Sequence, residues 1–199
     1  MENGEDVVVA RRGGSSRVNV NDILVLAPYD ATNGFAYMLD DVLLPAWIEQ
    51  TLFDIGSNSM STFAYMLSVL GLENLLSRPS ADLTVFAPNN DGFEAIDDAA
   101  LAYILSPAGE DLLQELIRYH MVSGGPFPSM YFVPQPQTLS TLHTADSDNP
   151  STITLSKRGQ TWIVQGDYNE ATLVEYDYVA NNGLAHVIDT PLLFGPIPV

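Results

Sequence analysis

Two stretches of this chain, far apart, are copies of each other. Ala31-Thr-Asn-Gly-Phe-Ala-Tyr-Met-Leu-Asp-Asp-Val-Leu-Leu44 aligns without gaps on Ala180-Asn-Asn-Gly-Leu-Ala-His-Val-Ile-Asp-Thr-Pro-Leu-Leu193, and seven of the 14 pairs are identical. Each copy follows alternating, strand-like sequence. One lead-in is Val18 to Val25; the other is Trp162 to Val164, a turn, then Ala171 to Tyr176. The simplest account is a tandem array. Residues 1–45 are then the C-terminal remnant of an upstream repeat or a linker, and residues 46–199 a complete domain. Two states of the remnant stay open: disorder, or packing of Ile23, Leu24, Leu26 and Leu39 against the complete domain.

Within residues 46–199 the early part reads as helices. Trp47 to Phe53 makes a short one, and Asn58 to Ser61 offers N-caps. Phe63, Met66, Leu67 and Leu70 fall at i, i+3, i+4 and i+7, a single face closed by Gly71. Leu83 to Ala87 is a short strand ended by Pro88. Asn89 to Gly92 turns into a small helix, and Asp97-Asp98 caps the next, Ala99 to Leu105. Ser106-Pro107 is expected to open a longer helix whose Leu113, Leu116, Ile117 and His120 share a face. After a proline-rich loop, Pro126 to Pro136, strands take over: Thr138 to Leu142, then a hairpin of Thr152 to Ser156 and Thr161 to Val164. Helices first and strands last predict an α+β domain, with several short helices flanking antiparallel strands.

The 199 residues carry 25 acidic against 7 basic side chains, a net charge of -18, and Lys157 is the sole lysine. Such a surface repels phosphate backbones, so nucleic acid is excluded as a partner. It attracts cationic partners and Ca2+, through surface carboxylates. No apolar run reaches the ~18 residues of a membrane span. Met1 to Asp6 is polar and acidic, not a secretory leader, so the chain is either intracellular or a piece of a longer secreted protein; the second reading is preferred.

No catalytic signature is found, and the expectation is a non-enzyme without cofactor. The three histidines, His120, His143 and His186, lack zinc-ligand spacing. There is no Gly-x-Ser-x-Gly elbow and no phosphate-binding glycine loop. Adjacent carboxylates such as Asp97-Asp98 do not face each other across a substrate. Asp146-Ser-Asp-Asn149 starts like a calcium loop but lacks its glycine and distant glutamate. No metal site is assigned; Asp146 and Asp148 are the weak candidates.

Three blocks together carry a family resemblance. They are Thr84-Val-Phe-Ala-Pro-Asn-Asn-Asp-Gly-Phe93, Tyr119-His-Met-Val-Ser-Gly124 and Asn182-Gly-Leu-Ala-His-Val-Ile-Asp189. In this order and spacing they resemble the fasciclin-type domain, over nearly all of residues 50–195. There are departures: Ser123 stands where proline is common, and Pro191-Leu-Leu-Phe194 replaces a Val-Leu-Leu-Pro ending. The upstream copy keeps that ending as Val42-Leu-Leu-Pro45 but has Tyr37 in place of the histidine.

The resemblance implies a β-sandwich or wedge flanked by helices, and an extracellular, secreted or cell-surface adhesion module without catalysis. Its partner would be a cell-surface or matrix protein, a polysaccharide or a surface. In some animal members the Tyr-His element is linked to integrin binding, which carries over to Tyr119 and His120. The aromatics Phe127, Tyr131 and Phe132 of the proline-rich loop are further contact candidates. That loop either presents them or folds back over the sheet. Thr84, Phe86, Pro88, Phe93, Asn182, Gly183, His186 and Asp189 read as structural motif residues. His120, on an apolar face, is expected to serve the core before it serves recognition. The alternative function is an acidic carrier of a hydrophobic small ligand such as a carotenoid.

Overall fold

A computed structural model describes residues 9–11, 18–20, 23–40, 50–78, 83–146 and 149–197. The chain divides into two units, Met1–Glu49 and Gln50–Val199.

The second unit is α+β. Its helices are α1 (Leu52–Ser59), α2 (Ser61–Val69), α3 (Glu73–Ser77), α4 (Asn90–Glu94), α5 (Asp98–Ile104) and α6 (Glu110–Tyr119). Its strands are β5 (Leu83–Pro88), β6 (Met121–Val122), β7 (Gln137–Asp146), β8 (Asn149–Arg158), β9 (Thr161–Gln165), β10 (Glu170–Ala180) and β11 (Gly183–Ile188), numbered after the four strands of the first unit. Local chemistry sets the helix ends. Thr51 and Asp54 form a reciprocal capping box on α1. Asn89 caps α4, and the Asp97 carboxylate accepts from the amides of Ala99 and Ala100 to cap α5.

Two sequence expectations are corrected at these ends. Asn58 and Ser59 lie inside α1, and α2 starts after Met60 without a side-chain cap. The amide of Thr62 donates instead to Asn90 Oδ1, 3.0 Å away. Helix α6 starts at Glu110, not at Ser106-Pro107, because two successive turns occupy that segment: Ser106 N–H donates to Tyr103 O at 3.0 Å and Gly109 N–H to Ser106 O at 2.9 Å. Trp47 to Glu49 lie outside the described residues.

The expected sandwich of antiparallel strands is corrected too. The strands close into a barrel in the order β10-β11-β5-β6-β7-β8-β9. The closing pair, β11 with β5, is parallel. Every residue of both strands is buried. Strands covered on both faces read as continuous apolar runs, which is why these two motif blocks show no clean alternation. Leu83, Val85, Ala87, Ala185 and Val187 face outward into a core with Leu52, Phe63, Met66, Leu67 and Leu116 from the helices. Phe86 and Ile188 face inward, against Tyr119, Val122, Leu155, Val164 and Leu173. Each buried Val, Leu, Ile, Phe or Met among them contributes on the order of 1.5–3 kcal/mol. Among the described residues every strand of this unit has a partner on each side.

The first unit is a four-stranded antiparallel sheet, β1 (Val9–Arg11), β2 (Val18–Val20), β3 (Ile23–Ala31) and β4 (Gly34–Leu39), in that order. Its register reproduces β8 to β11. Val9 faces Val20 as Leu155 faces Val164, and Val25 faces Leu39 as Leu173 faces Ile188. Ala31 faces Gly34 as Ala180 faces Gly183. The two aspartates of the sequence repeat do the same work. Asp40 donates its amide to Leu24 O at 3.1 Å and accepts the Leu24 amide on its carboxylate at 2.9 Å. Asp189 does so with Thr172, at 3.0 and 2.7 Å. Strand β10 has two register shifts where β3 has one, which absorbs the one-residue difference in spacing.

Candidate functional site

Side chains from β5, β10 and β11 converge on the proline-rich loop. The Thr84 hydroxyl accepts from Phe127 N–H at 2.8 Å and donates to Gly125 O at 3.2 Å. His186 Nε2–H donates to Phe127 O at 3.0 Å, while its Nδ1 accepts from Asp177 N–H at 3.2 Å. Asp177 has φ of 66°, a left-handed conformation uncommon outside glycine. Its carboxylate accepts from the Ser129 amide at 2.8 Å and from the Ser129 hydroxyl. The loop's far end is held by Gln137, which accepts from Val133 N–H at 2.8 Å and donates to Tyr131 O at 3.1 Å.

The loop therefore divides its aromatics. Phe127 and Phe132 are half-buried against the barrel core, and the Phe132 ring lies 5.2 Å from both Trp162 and His186. Tyr131 points out, 57% exposed, beside Met130 at 80% and Val133 at 43%. The result is a stiff apolar tip. Of the sequence candidates only Tyr131 belongs to it. Met130 and Val133 were missed, and no local pattern marks them, because direction here is set by the hydrogen bonds at the loop's base.

Tyr119 and His120 are both buried and diverge. The Tyr119 ring enters the barrel core. Its hydroxyl donates to Thr152 O at 3.3 Å and accepts from Asp167 N–H at 2.8 Å. Burial pushes this phenol up to about 12. His120 caps α6. Its Nδ1–H donates to Leu116 O at 2.7 Å, and its Nε2 accepts from Leu192 N–H at 2.9 Å. Burial lowers this imidazole to about 4, and the Leu192 donor leaves Nε2 no room for a proton. His186 is lowered likewise, mainly by burial.

The other motif residues hold elements together. Asn182 Oδ1 accepts from Leu52 N–H at 2.9 Å, at the start of α1, and its Nδ2 donates to Leu76 O at the end of α3, 2.5 Å away. Gly183 has φ of 154°, and a Cβ there would lie 2.4 Å from Leu83 O. Phe93 is buried in the helical core, and Pro88 pairs with Ile188 at the barrel's seam. His143, which the sequence reading left without a role, bonds Glu115 through Nδ1 at 2.7 Å and stacks on Phe194 with 4.3 Å between ring centres.

Of the calcium candidates, Asp146 ends β7 and Asp148 lies outside the described residues. Among the described residues no cluster of three His, Cys, Asp or Glu side chains is placed to hold a metal ion, and no helix is long and apolar enough to cross a membrane.

The pattern of the family described as the fasciclin domain matches residues 58–194. The chain is 26% identical over 148 residues to Protein sll1483 of Synechocystis sp., covering 72% of this chain and 73% of that one. It is 30% identical over 138 residues to human Stabilin-1, covering 69% of this chain but 5% of that much longer protein. Among solved structures it matches a FAS1 domain pair from the insect cell adhesion molecule fasciclin I, with a TM-score of 0.58 and 18% identity. That match covers 94% of this chain and 66% of the pair. The chain belongs to the fasciclin domain family.

Proposed function

We propose that this chain is a non-catalytic extracellular adhesion module from a tandem-repeat protein, with the loop tip Met130, Tyr131 and Val133 as its contact surface. The observation that carries the reading is the clamped loop. An apolar tip held by Thr84, His186 and Asp177 loses little entropy on binding, so contact energy is not spent on ordering it. The structural likeness to a pair from a cell adhesion molecule supports the reading. Residues 1–45 are, in this view, the C-terminal remnant of an upstream repeat, which the matched registers support. The partner is a cell-surface or matrix protein, with a cationic rim to suit the net charge of -18. Tyr119 and His120 serve by positioning α6 and the segment around Leu192, and Phe127 and Phe132 by anchoring the loop. The carrier alternative gains no support, since the barrel interior is filled by its own side chains.

The test is a Met130→Ser, Tyr131→Ser double variant. Both side chains are exposed, so stability stays within about 0.5 kcal/mol of the parent. Cell or matrix adhesion to a coated surface falls at least about tenfold, as expected for a central apolar contact. Unchanged adhesion refutes the assignment.

A further inference from the structure

The clamp on the loop contains a titratable joint. Asp177 lies where β10 slips register against β11, and its amide donates to the His186 ring instead of a backbone carbonyl. That bond, 3.2 Å long, needs a proton-free Nδ1, because the ring's N–H is already committed through Nε2 to Phe127 O. The closed loop therefore accepts only the neutral ring. The Asp177 backbone, with φ of 66°, is held in a strained conformation while its carboxylate bonds Ser129. Among the described residues Asp177 alone holds Ser129 from outside the loop. Ser129 opens the single helical turn Ser129–Tyr131, which carries the exposed Met130 and Tyr131.

The surroundings leave one charge to act on the ring. From β5 it meets Phe86, with 5.1 Å between ring centres, and from the loop Phe127 O and the Phe132 ring, at 5.2 Å. From β10 it meets the Asp177 carboxylate, which favours the charged form. Glu175 of β10 is exposed and accepts from the Tyr178 hydroxyl, and Lys157 lies over Trp162. Burial outweighs Asp177 and holds the imidazole below its ordinary value.

We infer that Asp177 and His186 form an acid-operated latch on the loop tip. When the loop opens to water, Nδ1 takes a proton from solvent. The Asp177 amide then has no acceptor, and the new N–H needs one. The Asp177 carboxylate leaves Ser129 for the imidazolium, a charge-assisted pair, and the turn Ser129–Tyr131 comes loose while Phe127 stays bonded to Nε2–H. The ring binds its proton more weakly with the loop closed than with it open. The latch is therefore shut above the open-state value of about 6.5 and weakens as pH falls. Its effect on adhesion rests on the loop tip being the contact surface; the motion of the loop does not.

The chain contains no cysteine, so a single Met130→Cys carries a nitroxide spin label at the tip without competing thiols. Label mobility is recorded by electron paramagnetic resonance from about pH 7.5 to about pH 5, with far-UV circular dichroism alongside. The ratio of mobile to immobile label is expected to rise at least about threefold at constant ellipticity, one proton giving up to about tenfold per pH unit. Asp177→Asn tolerates the left-handed backbone and still accepts from the Ser129 amide, but it offers the imidazolium no charge; its label is expected to stay immobile over this range. His186→Gln donates and accepts without titrating, and is expected to stay immobile too. An immobile label in the parent overturns the latch. So does an equal rise in Asp177→Asn, or a rise that comes only with loss of ellipticity, which is global unfolding. Adhesion of the unlabelled parent is measured at both ends of the range. If the label loosens and adhesion holds, the latch stands and the loop tip is not the contact surface. If adhesion falls with the label immobile, the latch is wrong and the contact surface is untouched.

Discussion

Acid should unfold this domain through His120. The folded state accepts only the neutral ring, since Nε2 already takes the Leu192 amide and the site is closed to water. Its pKa falls from 6.5 to about 4. The unfolded chain takes up a proton near pH 6.5 and the folded chain does not, so stability is full above that pH and is lost as pH falls towards 4. A gap of about 2.5 units at 1.36 kcal/mol each is worth about 3 kcal/mol. That is a large part of the 5–15 kcal/mol typical of a whole domain. The assay compares urea unfolding of the parent and His120→Gln by tryptophan fluorescence, from about pH 7.5 to about pH 4.5. Near pH 7.5 the variant is weaker by about 1–3 kcal/mol, the cost of leaving buried partners unpaired. As pH falls, the parent's advantage shrinks by about 2–3 kcal/mol. Every other group is common to the two proteins and cancels in the difference. A gap that stays constant with pH refutes the reasoning.

Gly183→Ala is expected to destabilise the domain by on the order of 3 kcal/mol, since the new Cβ meets Leu83 O at the barrel's parallel seam; thermal melting within a degree of the parent would contradict this. Added salt or Ca2+ is expected to raise the melting temperature by screening a net charge of -18, and a flat response across an ionic-strength series would remove self-repulsion as a factor.

Much of this molecule was legible in the chain alone. The face of Phe63, Met66 and Leu67 is a local 3.6-residue signal, and all three are buried as that signal requires. Asp97 caps α5 because capping spans three residues. The Thr152–Val164 hairpin and the repeat around Asn33 and Asn182 are equally local, and each appears as paired strands. His120 was readable as a core histidine from its apolar neighbours. Closure of the barrel was not readable. It depends on Leu83–Pro88 lying parallel to Gly183–Ile188, and no local periodicity encodes a partner so distant in the chain. The same holds for the loop. Its composition left open whether the aromatics are presented or fold back; Phe127 and Phe132 turn inward and Met130 turns outward because Thr84, His186 and Asp177 fix the backbone between them. Short-range pattern determines which residues make a helix, a cap or a hairpin. Which face of a loop meets water is decided by hydrogen bonds from strands remote in sequence, and those exist only after the barrel has closed.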